Sequence, residues 1–323
     1  MQAEAVGALI GARTERAVRL AARQLRGPLS EEIAMIRERL LDLVAGLEVA
    51  LDFPDEDVGI SPPAAIKEVE DLAVRLGRVL ERAGRGRAIQ DGLVVMLTGT
   101  PNVGKSSLLN AIVGAERAIV APSPGTTRDL IEGVLVFGGV PVRVMDGAGL
   151  GIPSDSVDAE GMRRARQALL ESDLVVVVLD RSRPMADGDL AILKLTAEQR
   201  RILVANKGDL PSAWPDSGRC QLACSALTGM GIEVLRQALA QWVNDRTGED
   251  AEEGGVVVSL RVMGQLELAR RALGRAAEAL SDAPVEAVLV DLREVDLALG
   301  GTLGLGVDDD ILGRIFAGFC VGK

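Results

Sequence analysis

Along the first 88 or so residues, apolar positions recur three and four apart. Ile33, Ile36, Leu40, Leu43, Leu47 and Ala50 fall on one face at that spacing, which predicts an amphipathic helix. Ser30, ahead of Glu31 and Glu32, is the expected N-cap, with acids where the helix dipole favours them. The stretch DFPDEDVGISPP interrupts the pattern with proline and glycine, and a further helix is expected to about Arg85.

From Leu93 the period changes. LVVML, GVLVF, VRVMD, LVVVVLD and ILVAN are short continuous apolar runs separated by helical or glycine-rich stretches. Runs apolar on both faces predict strands buried in a mostly parallel sheet with helices on both sides. The alternation continues to about Trp242, and the acidic, glycine-rich DRTGEDAEEGG reads as a linker. Helical periodicity then resumes from about Leu260 to the end, broken at SDAP and GGTLGLGVDDD. The expected architecture is an α/β domain over residues 91–246 inserted into one all-α domain made of residues 1–90 and 247–323. No internal repeat is evident.

Composition narrows the chemistry. The chain of 323 residues is 48% hydrophobic but only 2% aromatic, so its cores must be aliphatic. It has no histidine, which removes imidazole bases, His metal sites and Ser–His or Cys–His nucleophile pairs. The net charge of −11 repels nucleic acid and anionic membrane overall, so an RNA contact would need a local basic patch. Cys220, Cys224 and Cys320 form an odd set without CxxC spacing, as suits a reducing cytosol. No apolar run approaches a membrane span and the N-terminus lacks a signal-peptide plan, so a cytoplasmic location is expected.

Four motifs, in chain order and each following an expected strand, carry the chemistry. GTPNVGKSS, residues 99–107, fits GxxxxGK[ST]. Its small residues let backbone N–H groups of Asn102, Val103 and Gly104 face phosphates at a helix N-terminus. Lys105 would reach the β- and γ-phosphates, Ser106 would ligate Mg²⁺, and Ser107 completes the loop. Asp146 ends VRVMD, placed to hold the Mg²⁺ water shell, and Gly149 three residues later lets its N–H approach the γ-phosphate. In LVANKGDL, Asn206, Lys207 and Asp209 follow another strand. A carboxylate there accepts from both guanine donors, N1–H and the exocyclic amine, which adenine cannot match. CSALTG supplies Ser225 and Ala226 for a loop closing over the base. SPGTTRD lies where a switch loop belongs, with Thr126 and Thr127 in it and Thr127 as the second Mg²⁺ hydroxyl. Together these describe a GTPase.

GTPNVGKSSLLNAIVG, SPGTTRD, DFPDEDV and the terminal LGRIFAGFCVGK resemble the MnmE (TrmE) family of tRNA-modification GTPases, over essentially the whole chain. The resemblance implies installation of a carboxymethylaminomethyl-type group at C5 of the tRNA wobble uridine, with an FAD-dependent MnmG-like partner and a folate one-carbon donor. It also implies hydrolysis stimulated by K⁺, which supplies charge that an arginine finger supplies elsewhere, and G domains that pair transiently when GTP and K⁺ are bound. Asn102 matches the family's K⁺-coordinating asparagine, and the loop around Pro122 and Gly125 would complete that cation site. Cys320 matches the tail cysteine implicated in modification and not in hydrolysis; a buried structural cysteine is the alternative.

Three departures from the family pattern carry expectations. The family has an N-terminal folate-binding, dimer-forming domain, and this chain starts where the family's helical domain starts, which puts folate binding and complete modification activity in question. The family's DTAG is DGAG here, with Gly147 giving the switch more backbone freedom. Asp158, in SVDAEG, stands where the family has a water-orienting glutamate; being one methylene shorter, it predicts slower hydrolysis. The competing reading is therefore a GTP/GDP-binding regulatory module with weak hydrolysis and no one-carbon chemistry. A ribosome-assembly GTPase explains neither DFPDE nor the tail. Arg16, Arg19, Arg23 and Arg26 share one helix face, read as an RNA-contacting stripe or, more commonly, a solvated and ion-paired face. Cys220 and Cys224 are expected as core or partly exposed thiols, not a metal pair.

Overall fold

The computed structural model describes residues 2–25, 27–53, 58–114, 131–147, 163, 166–214, 220–248 and 255–305. Two compact units emerge, one from residues 1–90 with 250–323 and one from residues 91–249.

The helical unit contains α1 (Gln2–Gly11), α2 (Glu15–Gln24), α3 (Pro28–Asp52), α4 (Pro62–Asp91), α8 (Leu260–Asp282) and α9 (Val285–Leu303). Ile33, Ile36, Leu40, Leu43 and Leu47 are buried on α3, and Ala50 is half-buried. They pack with Val69, Leu72, Leu76 and Val79 of α4, Leu266 and Leu273 of α8, and Leu292, Val295 and Leu299 of α9. The core is aliphatic, as the scarcity of aromatics requires. Arg37 of α3 reaches across to Asp296 of α9, with 2.7 Å between Nε and Oδ1.

Ser30 is not the N-cap of α3. That place belongs to Gly27 at φ 84°, and Pro28 follows at the first helical position. Proline's fixed φ suits that position and its missing N–H costs nothing there, so the helix starts ahead of Ser30. The first i→i−4 bond accordingly runs from Glu31 N to Gly27 O, at 3.2 Å. α4 outlasts its expected end near Arg85 and closes only before Gly92, because Ile89 is still wholly buried.

The other unit holds β1 (Leu93–Thr98), α5 (Lys105–Gly114), β2 (Ile131–Phe137), β3 (Val140–Asp146), β4 (Leu174–Asp180), α6 (Asp187–Leu195), β5 (Arg201–Asn206), β6 (Leu222–Ala223) and α7 (Ile232–Thr247). Its six-stranded sheet runs β2-β3-β1-β4-β5-β6. Every pairing is parallel except β2–β3, a hairpin turning at Gly138 and Gly139, both at positive φ. β4 is buried at every position, which is why its sequence is a continuous apolar run. From β1 the chain runs to the β2–β3 hairpin on one side and then crosses to β4 on the other, which puts the switch in strand order, the usual place of a ligand crevice, at the carboxyl end of β1. Among the described residues, no helix is long and apolar enough to cross a membrane.

Candidate nucleotide site

Register brings the functional strand ends to one edge. Leu97 of β1 pairs with Asp146 of β3, Thr98 with Val177 of β4, and Asp180 of β4 with Asn206 of β5. The phosphate loop therefore leaves β1 beside Asp146 and within reach of the segment after β5. The loop enters α5 at Lys105, where the Leu108 N to Gly104 O bond of 2.8 Å closes the first turn. A helix N-terminus with its donors facing outward favours an anion.

Two glycines shape this cradle by close approach. A Cβ on Gly104, at φ 94°, would stand 2.4 Å from Asn206 Nδ2, and one on Gly99 would stand 2.3 Å from Val178 O. Asn102 takes the left-handed conformation at φ 65°, tolerated best by short polar side chains. Lys105 Nζ donates to the carbonyls of Gly99 and Thr100 at 2.9 and 3.2 Å, which holds the cation against its own loop. Ser106 and Ser107 are exposed on the first turn of α5, and Val103 is buried beneath the loop. The donor set fits a polyphosphate carrying a hard divalent cation.

Buried Asn206 joins the two halves of the crevice. Its Nδ2 donates to Val103 O at 2.8 Å, and its Oδ1 accepts from Ala226 N at 3.1 Å. Lys207, at φ 62°, donates through Nζ to Asp180 Oδ2 at 2.6 Å. Burial alone would push the Asp180 carboxyl up, but hydrogen bonds from Lys207 and from the hydroxyl and N–H of Ser182 outweigh it and hold the group below its ordinary value. Ser225 Oγ donates to Asp209 Oδ1 at 2.5 Å and accepts from Thr228 N at 3.2 Å. That bond fixes one oxygen of an exposed carboxylate.

A second polar cluster meets the phosphate loop from α6 and was not foreseen. Thr100 Oγ1 donates to Asp189 Oδ1 at 2.7 Å and accepts from Arg183 Nη2 at 2.9 Å. Arg183 Nη1 also reaches Asp189 Oδ2 at 2.8 Å. Burial raises the Asp189 pKa, yet bonds from Arg183, Ala186 N and Thr100 together leave it below its ordinary value. In sequence, Asp189 reads only as an acid in the first turn of a helix, and that concealed it.

Thr126, Thr127, Gly149, Asp158, Pro122, Gly125, Cys320 and Arg26 lie outside the described residues. Asp146 is placed by its backbone at the end of β3. Of the arginine face on α2, Arg19 pairs with Glu15 at 2.9 Å, Arg23 is exposed and Arg16 half-buried. Cys224 is buried and its thiol is pushed up to about 11 by desolvation. Half-buried Cys220 is also raised by desolvation, with Arg181 opposing. Among the described residues no cluster of metal-binding side chains occurs.

The chain is similar along its whole length to known proteins. The family described as the MnmE helical domain matches residues 1–320. The tRNA modification GTPase MnmE of Synechococcus sp. (strain CC9605) is 42% identical over 328 residues, covering 100% of this chain and 71% of that protein. Its counterpart from Aquifex aeolicus (strain VF5) is 38% identical over 329 residues, covering 100% of this chain and 72% of that one. Among solved structures, Aquifex aeolicus Era bound to GDP.AlF4- is 25% identical over 55% of this chain and 66% of that chain, with a TM-score of 0.38. The phosphate-loop crevice and the full-length similarity lead to the same conclusion: this chain, a GTP hydrolase with a P-loop GTPase unit and a helical unit, belongs to the MnmE family of tRNA modification GTPases.

Proposed function

We propose that the chain is a K⁺-stimulated GTPase acting in C5 modification of the tRNA wobble uridine together with an MnmG-like flavoprotein. The observation that carries this reading is 42% identity, over all of this chain, to a protein named for tRNA modification and GTP hydrolysis. Asp209, aligned by Ser225, selects guanine, while the loop amides at 102–104 and Lys105 hold the phosphates. Ser106, Thr127 and Asp146 would hold Mg²⁺, which supplies positive charge to the β- and γ-phosphates. Asn102, with Pro122 and Gly125, would hold K⁺, which adds charge where negative charge develops. Asp158 would orient the attacking water. Thr126, Thr127 and Gly149 would be ordered by the γ-phosphate and released on hydrolysis. Cys320 serves the modification step and not hydrolysis.

Asp158, one methylene shorter than the family's glutamate, favours a second reading, a nucleotide-binding module with weak turnover. The two separate in a reconstitution containing the chain, the flavoprotein, a tRNA transcript, a folate one-carbon donor, K⁺ and GTP or GDP. The first reading expects C5-substituted uridine by nucleoside mass spectrometry with GTP and none with GDP. Nucleotide binding with no substituted uridine in either arm would leave the second reading standing.

A further inference from the structure

The phosphate loop is held from outside at a point that phosphate chemistry does not explain. Thr100, the second residue of the loop, has its hydroxyl between Asp189 Oδ1 at 2.7 Å and Arg183 Nη2 at 2.9 Å. Its methyl lies against α6 so closely that a Cβ on Gly188 would stand 3.0 Å from Thr100 Cγ2. The bland account of Asp189 is a helix cap, and half of its carboxylate does act that way: Oδ2 accepts from Ala186 N at 3.0 Å and from Arg183 Nη1 at 2.8 Å. Oδ1 is not needed for that cap: it accepts from Thr100 Oγ1 and, at 3.1 Å, from Arg183 Nη2, so that Arg183 grips both oxygens while one of them holds the loop.

The support behind this pair is itself fixed. Trp214 Nε1 donates to Arg183 O at 2.7 Å, and Ala213 N donates to Arg181 O at 2.9 Å. Asp180 Oδ1 takes Ser182 N at 2.9 Å and its hydroxyl at 2.6 Å, while Oδ2 takes Lys207 Nζ at 2.6 Å. Arg183 Nε lies 3.9 Å from that same Asp180 Oδ2. An ordered polar chain thus runs from Lys207 beside the base motif through Asp180, Arg183 and Asp189 to Thr100.

We propose that Arg183 and Asp189 are positioning residues of the nucleotide site, clamping Thr100 so that the loop amides are preset for the β-phosphate. A loop held before the ligand arrives loses less conformational freedom on binding, so the clamp acts through affinity for the phosphate chain and not for the base. This deepens the functional reading above and rests on it.

The test is calorimetric titration of the full chain with GDP and with GMP in Mg²⁺ buffer. Thr100→Val keeps the shape and removes the hydroxyl. It is expected to weaken GDP about tenfold, or about 1.4 kcal/mol, while GMP stays within about twofold. Thr100→Ser restores parental affinity, and Asp189→Asn shifts GDP in the same direction as Thr100→Val. A Thr100→Val variant that binds GDP like the parent, or that loses GMP and GDP equally, overturns the clamp. Should Asp189→Asn fail to fold, the Val and Ser pair decides alone. A parent chain that binds no GDP would instead overturn the functional reading, and the clamp with it.

Discussion

Gly147 stands where the family has threonine, and the structure shows why this chain resists a side chain there. Its N–H donates to Leu97 O at 2.7 Å, tying the exit of β3 to β1. A Cβ at this position would stand 2.5 Å from Met96 Cε and 2.8 Å from Leu97 O. The methionine methyl swings away at little cost, although Met96 is wholly buried against Val175, Val177 and Ile192. The carbonyl belongs to a central strand and moves only if the Gly147–Leu97 bond lengthens. Overpacking of this kind costs roughly 1–3 kcal/mol, offset by about 0.4–1 kcal/mol from a stiffer unfolded chain. Gly147→Ala is therefore expected to lose about 1–2 kcal/mol. Urea unfolding followed by tryptophan fluorescence reads this well, because both tryptophans, Trp214 and Trp242, belong to the 91–249 unit. With slopes of about 1–3 kcal/mol/M, the midpoint falls by roughly 0.3–2 M at unchanged slope. Adding Met96→Val recovers only part of the loss, since the carbonyl contact persists. A parental midpoint for Gly147→Ala would refute the packing argument.

Other consequences follow from the same geometry. Asp209→Asn replaces one acceptor with a donor, so affinity for GTP is expected to fall at least a hundredfold while that for xanthosine triphosphate, which carries a carbonyl at C2, rises; competition binding reads both. Asp180 and Asp189 have folded pKa values below their ordinary 3.8, so their stabilisation is fully present above that pH and is lost as pH falls through the folded values. The tryptophan-monitored urea midpoint should accordingly drop below about pH 4, and less steeply in Asp189→Asn. Cys224, wholly buried with its thiol pushed up to about 11, should resist iodoacetamide at pH 8 in the folded chain and react in denaturant, as peptide mass spectrometry would show.

The phosphate-loop motif and the strand ahead of it were legible because such a motif demands a fixed spacing. The loop at 99–107 needs glycine at fixed places, and the run ahead of it is a strand buried at nearly every position, while the run ending at Asn206 is buried over its last three residues and half-buried before them. The role of Asn206 as a bridge between loop and base segment was not legible, since its partners Val103 and Ala226 are distant in sequence. The same holds for Thr100, Arg183 and Asp189, whose meeting is decided by how β1 and β4 pair. Strand β6 was too short to leave a period. Ser30 misled because its cap signature is genuine but Pro28 starts the helix earlier.

The central claim is that this crevice hydrolyses GTP in a cation-dependent way. GTP turnover by the full chain in potassium chloride against sodium chloride, at matched ionic strength and over a range of protein concentrations, tests it most directly. The account predicts faster turnover in potassium, with the difference growing at high protein concentration, as the proposed pairing of G domains requires. GTP binding with equally slow turnover in both salts would contradict it.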